Sequence, residues 1–172
     1  DADPAPGLFP LIVFAHGWDG GGTSFVPLAE QWARAGYVVA LPTFPLSRKG
    51  IGFSDDYVEQ PDDISFVIDH LTGEGEGTGL DAEDPLVASV DGERIAVGGH
   101  SLGAATVFRG AYNACCVDDR IDVTVTVAGG PLDIAEPGYG DQPDTPMLLV
   151  HGAADPGVPV GVGDAMVDFI QA

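Results

Sequence analysis

The sequence predicts an α/β fold: a three-layer α/β/α sandwich around a mostly parallel sheet of about five strands. Three observations predict it. Short apolar runs alternate with segments of helical periodicity. The runs are bounded by Gly or Pro. Several are apolar at successive positions, as in strands covered on both faces. Strands that alternate with helices imply right-handed crossovers, and therefore parallel strands with helices on both sides.

The elements follow in order. Residues 11–15 (LIVFA) are continuously apolar, with Pro10 before them and Gly17 soon after, and predict a strand. Phe25, Leu28, Ala29 and Trp32 recur at helical spacing and predict a helix over 24–35, which Gly36 ends. Residues 37–41 form the next strand, stopped by Pro42. Ile64, Val67, Ile68 and Leu71 mark a helix over 56–72. Residues 73–79 are polar and Gly-rich and read as a surface loop. They carry acid rather than Lys and open no helix, so they do not read as a phosphate cradle. A strand over 95–98 precedes a helix over 102–112, and the β-branched run 123–128 is a further strand. Pro146 leads into a strand over 147–151. Val162, Ala165, Met166 and Phe169 then trace one face of a last helix. No repeat or internal linker interrupts the pattern, so residues 1–172 read as one domain.

Composition narrows the function. The chain has 172 residues, 45% of them hydrophobic and 19% charged, which supports a packed core rather than disorder. Six basic residues face 27 acidic ones, for a net charge of −21. No Lys/Arg cluster is present to neutralise phosphates, which argues against nucleic acid and anionic membranes as partners. No apolar run is long enough to span a bilayer. The acidic, Lys-poor composition and a first residue other than Met favour a secreted or envelope setting without defining one. Thirteen of the acidic residues fall between residues 55 and 93, without a ligand spacing that points to metal, so they read as a solvated face. Cys115 and Cys116 are neighbours. They read as two small apolar residues near a helix end, with a disulfide between them as the alternative.

Three segments carry chemistry. Gly99-His100-Ser101-Leu102-Gly103 fits G-x-S-x-G and lies between a predicted strand and a predicted helix. A sharp strand-to-helix turn strains the nucleophile and leaves no room for side chains at the flanking glycines, Gly99 and Gly103. The turn also lifts the Ser101 hydroxyl to the positive end of the following helix, where an oxyanion is stabilised. His16-Gly17-Trp18 follows the first strand, and its Gly-rich turn can aim main-chain N–H groups at the same place. The Trp18 and Leu102 amides are the predicted oxyanion donors. His16 itself reads as a hydrogen-bonded structural residue. Asp155 stands four residues past His151 on the turn after the last strand, where an acid could orient an imidazole. An Asx-type turn residue is the other reading of that position.

With these motifs in this order, the chain resembles the α/β-hydrolase-fold serine hydrolases. It looks most like the dienelactone hydrolase, platelet-activating-factor acetylhydrolase and chlorophyllase-like esterase group. Residues 42–47 (PTFPLS), 60–69 (QPDDISFVID) and 119–122 (DRID) add to the likeness. The resemblance implies Ser101 as nucleophile, Asp155 as triad acid, and Leu102 and Trp18 as oxyanion donors. It implies a partial version of the fold, with the strands ordered second, first, third, fourth, fifth. The pocket would be walled by residues 43–47 and 129–133, with Phe44 and Pro131 as candidate lining residues for an apolar acyl or aromatic group. It implies a small-molecule ester as partner, and neither metal nor organic cofactor.

One part is missing from that pattern. The family order is Ser, Asp, His, and no His follows Asp155. His16, His70, His100 and His151 each lie in a poor position for a general base. The expectation is therefore a central piece of a larger hydrolase, lacking strands before residue 11 and a His-bearing segment after residue 172. Such a piece would be weakly active or inactive alone. The rival expectation is a catalytically dead hydrolase fold that binds a ligand or partner.

Overall fold

The apolar run after Pro10 forms the second strand of a five-stranded parallel sheet. The computed structural model describes residues 4–74, 84–132, 138–139 and 145–171. Its strands are β1 (Phe9–Ala15), β2 (Val38–Ala40), β3 (Val90–His100), β4 (Ile121–Val127) and β5 (Met147–Val150), in the order β2-β1-β3-β4-β5. Every neighbouring pair is parallel, and the order is the one the resemblance implied. The helices are α1 (Val26–Arg34), α2 (Gln60–Thr72), α3 (Leu102–Tyr112) and α4 (Val160–Ile170).

Period-two alternation in β1 divides the core between the two faces. Leu11, Val13 and Ala15 pack with Ile64 and Ile68 of α2 and Val107 of α3. Phe14 points the other way, its ring 4.9 Å from that of Phe25 and 5.5 Å from that of Trp32 in α1. Helix α3 is buried at every position except Arg109. On its far side Phe108 and Tyr112 pack with Met166 and Phe169 of α4.

Prolines explain where two predicted helices divide. The segment predicted over 24–35 is a 3₁₀ turn, Gly22–Phe25, followed by α1 with Pro27 in its first turn. The segment predicted over 56–72 divides in the same way, into the 3₁₀ turn Ser54–Val58 and α2 with Pro61 in its first turn. Gly73 ends α2 in the left-handed region at φ 75°. β3 is longer than the predicted 95–98. Its polar start pairs Val90 with Phe9 and Asp91 with Pro10 before the register shifts and Leu11 meets Ile95. The Ile95 N–H at the shift donates to Asp122 Oδ2 at 2.7 Å. Within the predicted Gly-rich loop, residues 75–79 lie outside the described residues.

Two further features bear on the sequence reading. Cys115 and Cys116 are joined by a disulfide just after α3, so they are not simply two small apolar residues. Part of the acidic excess is used in packing: Arg120 pairs with Asp118, Asp69 and Glu74, tying β4's entry to the end of α2. Among the described residues no helix is long and apolar enough to cross a membrane.

Candidate active site

Parallel strands deliver their C-terminal ends to one edge, so the turns after β1, β3, β4 and β5 meet there. The tightest of them holds Ser101, between the end of β3 and the start of α3, at φ 56° and ψ −117°. An L residue in this region is strained and persists only where its surroundings fix it. The surroundings do so here. The Ser101 N–H donates to the Val127 carbonyl at 3.0 Å, and its own carbonyl accepts from the Ala104 N–H at 3.0 Å. A Cβ on Gly99 would lie 2.2 Å from the Gly103 carbonyl oxygen, and a Cβ on Gly103 2.4 Å from that of Ala15. Both elbow glycines are therefore required by backbone contact, as the motif predicts.

The turn after β4 adds a close approach that the sequence did not reveal. Ala128 also has positive φ, 48°, and a Cβ on Gly129 would lie 2.4 Å from the Ser101 carbonyl oxygen. Only a plain run of small residues marked this position, and a run of that kind has many explanations.

The turn after β1 is built on His16, which is fully buried. Its Nδ1–H donates to the Gly17 carbonyl at 2.8 Å, and its Nε2 accepts from the Phe44 N–H at 3.0 Å. This pairing fixes the neutral tautomer and gives His16 the structural role expected of it. It also corrects the expectation for Phe44. The Phe44 side chain is 1% exposed, packs in the main core and lies against the His16 ring, and it is not among the residues that wall the cleft beside Ser101. The segment after Pro42 turns inward because its main chain must reach His16.

A cleft of about 160 Å³ opens beside Ser101, walled by Trp18, Leu102, Leu132, Val158 and Val162. Its neighbours on the turn after β4 are Gly129, Gly130 and Leu132, while Pro131 between them does not line it. This corrects the second pocket expectation: the lining apolar group is Leu132, one residue on. Residue 133, the end of that predicted wall, lies outside the described residues. A larger apolar cavity of about 490 Å³ runs along β2 near Phe9, Tyr37 and Leu86, at a distance from any predicted nucleophile or acid. Size alone would select it, but Ser101 borders the smaller cleft and a second one of about 210 Å³, which it shares with His100.

Leu102 is the first residue of α3, so its N–H has no acceptor inside the helix. Trp18 borders the same cleft, and its indole N–H donates to the Gly52 carbonyl. Asp155 sits in the turn after β5, where its Oδ1 accepts from the N–H groups of Val158 at 3.0 Å and Gly157 at 2.8 Å. These two bonds hold its carboxyl below the usual carboxylate range, with His151 and His100 adding smaller attraction. The turn reading of the residue therefore holds: one oxygen builds the turn, and the carboxylate stays charged. Because the folded value is depressed, the turn is stabilised above the unfolded carboxylate range. That stabilisation is lost as pH falls through the folded value. A carboxyl ¹³C titration should show Asp155 protonating at lower pH than an exposed reference Asp.

His100 borders the second cleft, of about 210 Å³, together with Ser101 and Trp18, while the other histidines do not line it. His151 Nε2–H donates to the Val158 carbonyl at 2.8 Å, and His70 stacks on Phe66. The His100 ring lies 5.7 Å from that of Phe25, and burial lowers its pKa against the pull of Asp155. Among the described residues, none of the four hydrogen-bonds to Ser101 or Asp155.

The protein belongs to the alpha/beta hydrolase family, whose model matches residues 12–171. Solved structures share the fold. A ferulic acid esterase from Streptomyces cinnamoneus is 25% identical, with a TM-score of 0.63 over 98% of this chain and 48% of its own. The chain thus spans about half the length of that enzyme. Thermogutta terrifontis esterase 2 is 18% identical, with a TM-score of 0.64 over 99% of this chain and 69% of its own. SOBER1 of Arabidopsis thaliana is 16% identical, with a TM-score of 0.66 over 94% of this chain and 82% of its own. No curated protein sequence matches the chain.

Proposed function

We propose that the protein is a carboxylic-ester hydrolase with Ser101 as its nucleophile. The observation that carries this reading is Ser101 itself, held at φ 56° on a turn that three glycines close in upon, beside an apolar cleft. Strain of this kind is kept where function requires it. Ser101 Oγ attacks the ester carbonyl carbon, and the carbonyl oxygen becomes an oxyanion held by the Leu102 and Trp18 N–H groups. The alcohol leaves with a proton, and water then releases the acyl group from Ser101. Names of the compared structures support ester chemistry, as does the resemblance to the chlorophyllase-like group. Trp18, Leu132, Val158 and Val162 favour an apolar acyl or aromatic group, and the net charge of −21 disfavours polyanionic substrates.

The base is the open part of the machinery. Since none of the four imidazoles hydrogen-bonds to Ser101 or Asp155 among the described residues, the proposal puts a His from outside these 172 residues against Asp155. Fluorophosphonate labelling tests it. The 172-residue chain should take up little label, and the chain extended by the following reading frame should label at Ser101. Label at another residue, or none in the longer form, overturns the assignment. The second outcome would favour a catalytically dead binding protein, a reading that fits the lack, among the described residues, of a histidine hydrogen-bonded to Ser101.

Asp155→Asn separates the two roles of that residue. Asn Oδ1 still accepts from Gly157 and Val158, so the melting temperature should fall only slightly, by the charge-dependent part of those bonds. Loss of the charge that orients an imidazolium should lower kcat/KM by about 10³- to 10⁴-fold.

A further inference from the structure

Behind the cleft, buried polar groups link the two elements that carry the proposed oxyanion donors. Gln60, the first residue of α2, is fully buried, as are Ser47 and Thr106, and Asp56 is 5% exposed. Gln60 Nε2 donates to Ser47 Oγ at 2.8 Å and to Asp56 Oδ2 at 3.1 Å. Gln60 Oε1 accepts from the Thr106 hydroxyl at 2.6 Å, which also lies 3.2 Å from the Leu102 carbonyl one turn back. The Ser47 N–H donates to Asp56 Oδ2 at 3.1 Å. On its other side, the Ser47 carbonyl accepts from the Asp19 N–H at 2.8 Å.

That last bond is one of four joining residues 47–52 to the turn that carries Trp18. The Lys49 N–H donates to the Gly20 carbonyl at 2.8 Å, the Gly50 N–H to Asp19 Oδ1 at 2.7 Å, and the Trp18 indole to Gly52. Asp19 itself has positive φ, 52°, so the turn is set by these bonds rather than by intrinsic preference. Chemically, then, the Trp18 turn hangs on residues 47–52, which Gln60 ties to the first turn of α3.

We infer that Gln60 is a positioning residue that sets the spacing between the Trp18 and Leu102 N–H groups through Ser47 and Thr106. It touches no substrate. Its side-chain amide is suited to the task because it donates to the Ser47–Asp56 side and accepts from the Thr106 side at once, and no apolar residue of that size does both. A buried network of this kind stays rigid only while each member is satisfied. This inference rests on the hydrolase reading.

The test is made on the full-length enzyme, with p-nitrophenyl butyrate as substrate. Gln60→Met keeps the volume and removes the amide. It should lower kcat about ten- to hundredfold, the scale of a misplacement near 1 Å, while KM stays within about twofold. Affinity for a boronic acid that mimics the tetrahedral state should fall in parallel. Thr106→Val keeps the shape of Thr, cuts the link to α3, and should lower kcat in the same direction if Gln60→Met fails to fold. Ser65→Ala serves as the structural control. It removes a 2.8 Å bond from α2 to Asp118 on another side of the helix, and should lower stability with kcat unchanged. Gln60→Met and Thr106→Val variants that melt lower but keep wild-type kcat overturn the positioning role alone. A folded wild type without Ser101-dependent turnover overturns the hydrolase reading, and this inference with it.

Discussion

Ser101→Gly should melt at a higher temperature than the wild type and lose nearly all hydrolysis. The backbone at Ser101 has φ 56° and ψ −117°, a region that costs an L residue about 1–3 kcal/mol. Gly adopts it without a Cβ penalty, though it regains about 0.5–1 kcal/mol of freedom in the unfolded chain. The remainder, about 1 kcal/mol, raises the melting temperature by about 2–4 °C in a chain of this size. Ser101→Ala removes the same hydroxyl and keeps the Cβ, so it should lose activity without that gain. In both variants the full-length enzyme should lose about 10⁴-fold or more in kcat, leaving what the oxyanion donors and binding supply alone. Calorimetry and ester turnover on the pair decide the matter. Equal melting of the Gly and Ala variants would show that the bend is not strained, and turnover by the Ala variant would remove Ser101 from the chemistry.

Gly103→Ala should be among the most destabilising single methyls in the site. The added carbon would stand 2.4 Å from the Ala15 carbonyl oxygen and 2.8 Å from that of His16. Both neighbours are main chain of β1 and its turn, so neither swings aside as a flexible side chain would. Relief requires α3 to move off β1, which carries the loss of packing with it. We expect about 3 kcal/mol or more, at the upper end of overpacking costs. Gly161→Ala makes the contrast. A Cβ there meets nothing within 4 Å, in the first turn of α4. It should stabilise by up to about 1 kcal/mol through helix propensity. Urea titration of the two variants should therefore give opposite signs. A Gly103→Ala protein as stable as the wild type would mean that the helix does not press on β1 as closely as the distances say.

The frame of this fold was legible because it depends on local patterns. The run 11–15, the Gly residues flanking Ser101 and the Pro before β5 each mark an element within a few residues of sequence. Strand order followed from the resemblance. What escaped were features set by contacts distant in sequence. The polar residues 91–94 hide the start of β3, which exists because Phe9 and Pro10 offer it a partner. Phe44 resembles a pocket residue until His16, 28 positions earlier, draws its main chain inward. Leu132 and Pro131 are adjacent, and only the path of the turn after β4 decides which one faces the cleft. Gln60 meets Thr106 across 46 residues, and neither is unusual in its own segment. Asp155 was legible as a turn residue, while a partner imidazole was not, since among the described residues none of the four present hydrogen-bonds to it.

Both groups proposed to cradle the oxyanion are main-chain amides. A side-chain donor can be deleted by one codon change, but an amide is present whatever residue is encoded, Pro excepted. Substitutions at Trp18 and Leu102 should then be tolerated more often than their proximity to the substrate suggests. In a saturation library, intolerant positions should instead cluster at Gly17, Gly99, Gly103 and Gly129, and at the distant anchors Ser47 and Gln60. The genetic map of function would outline the backbone's supports rather than the wall of the cleft.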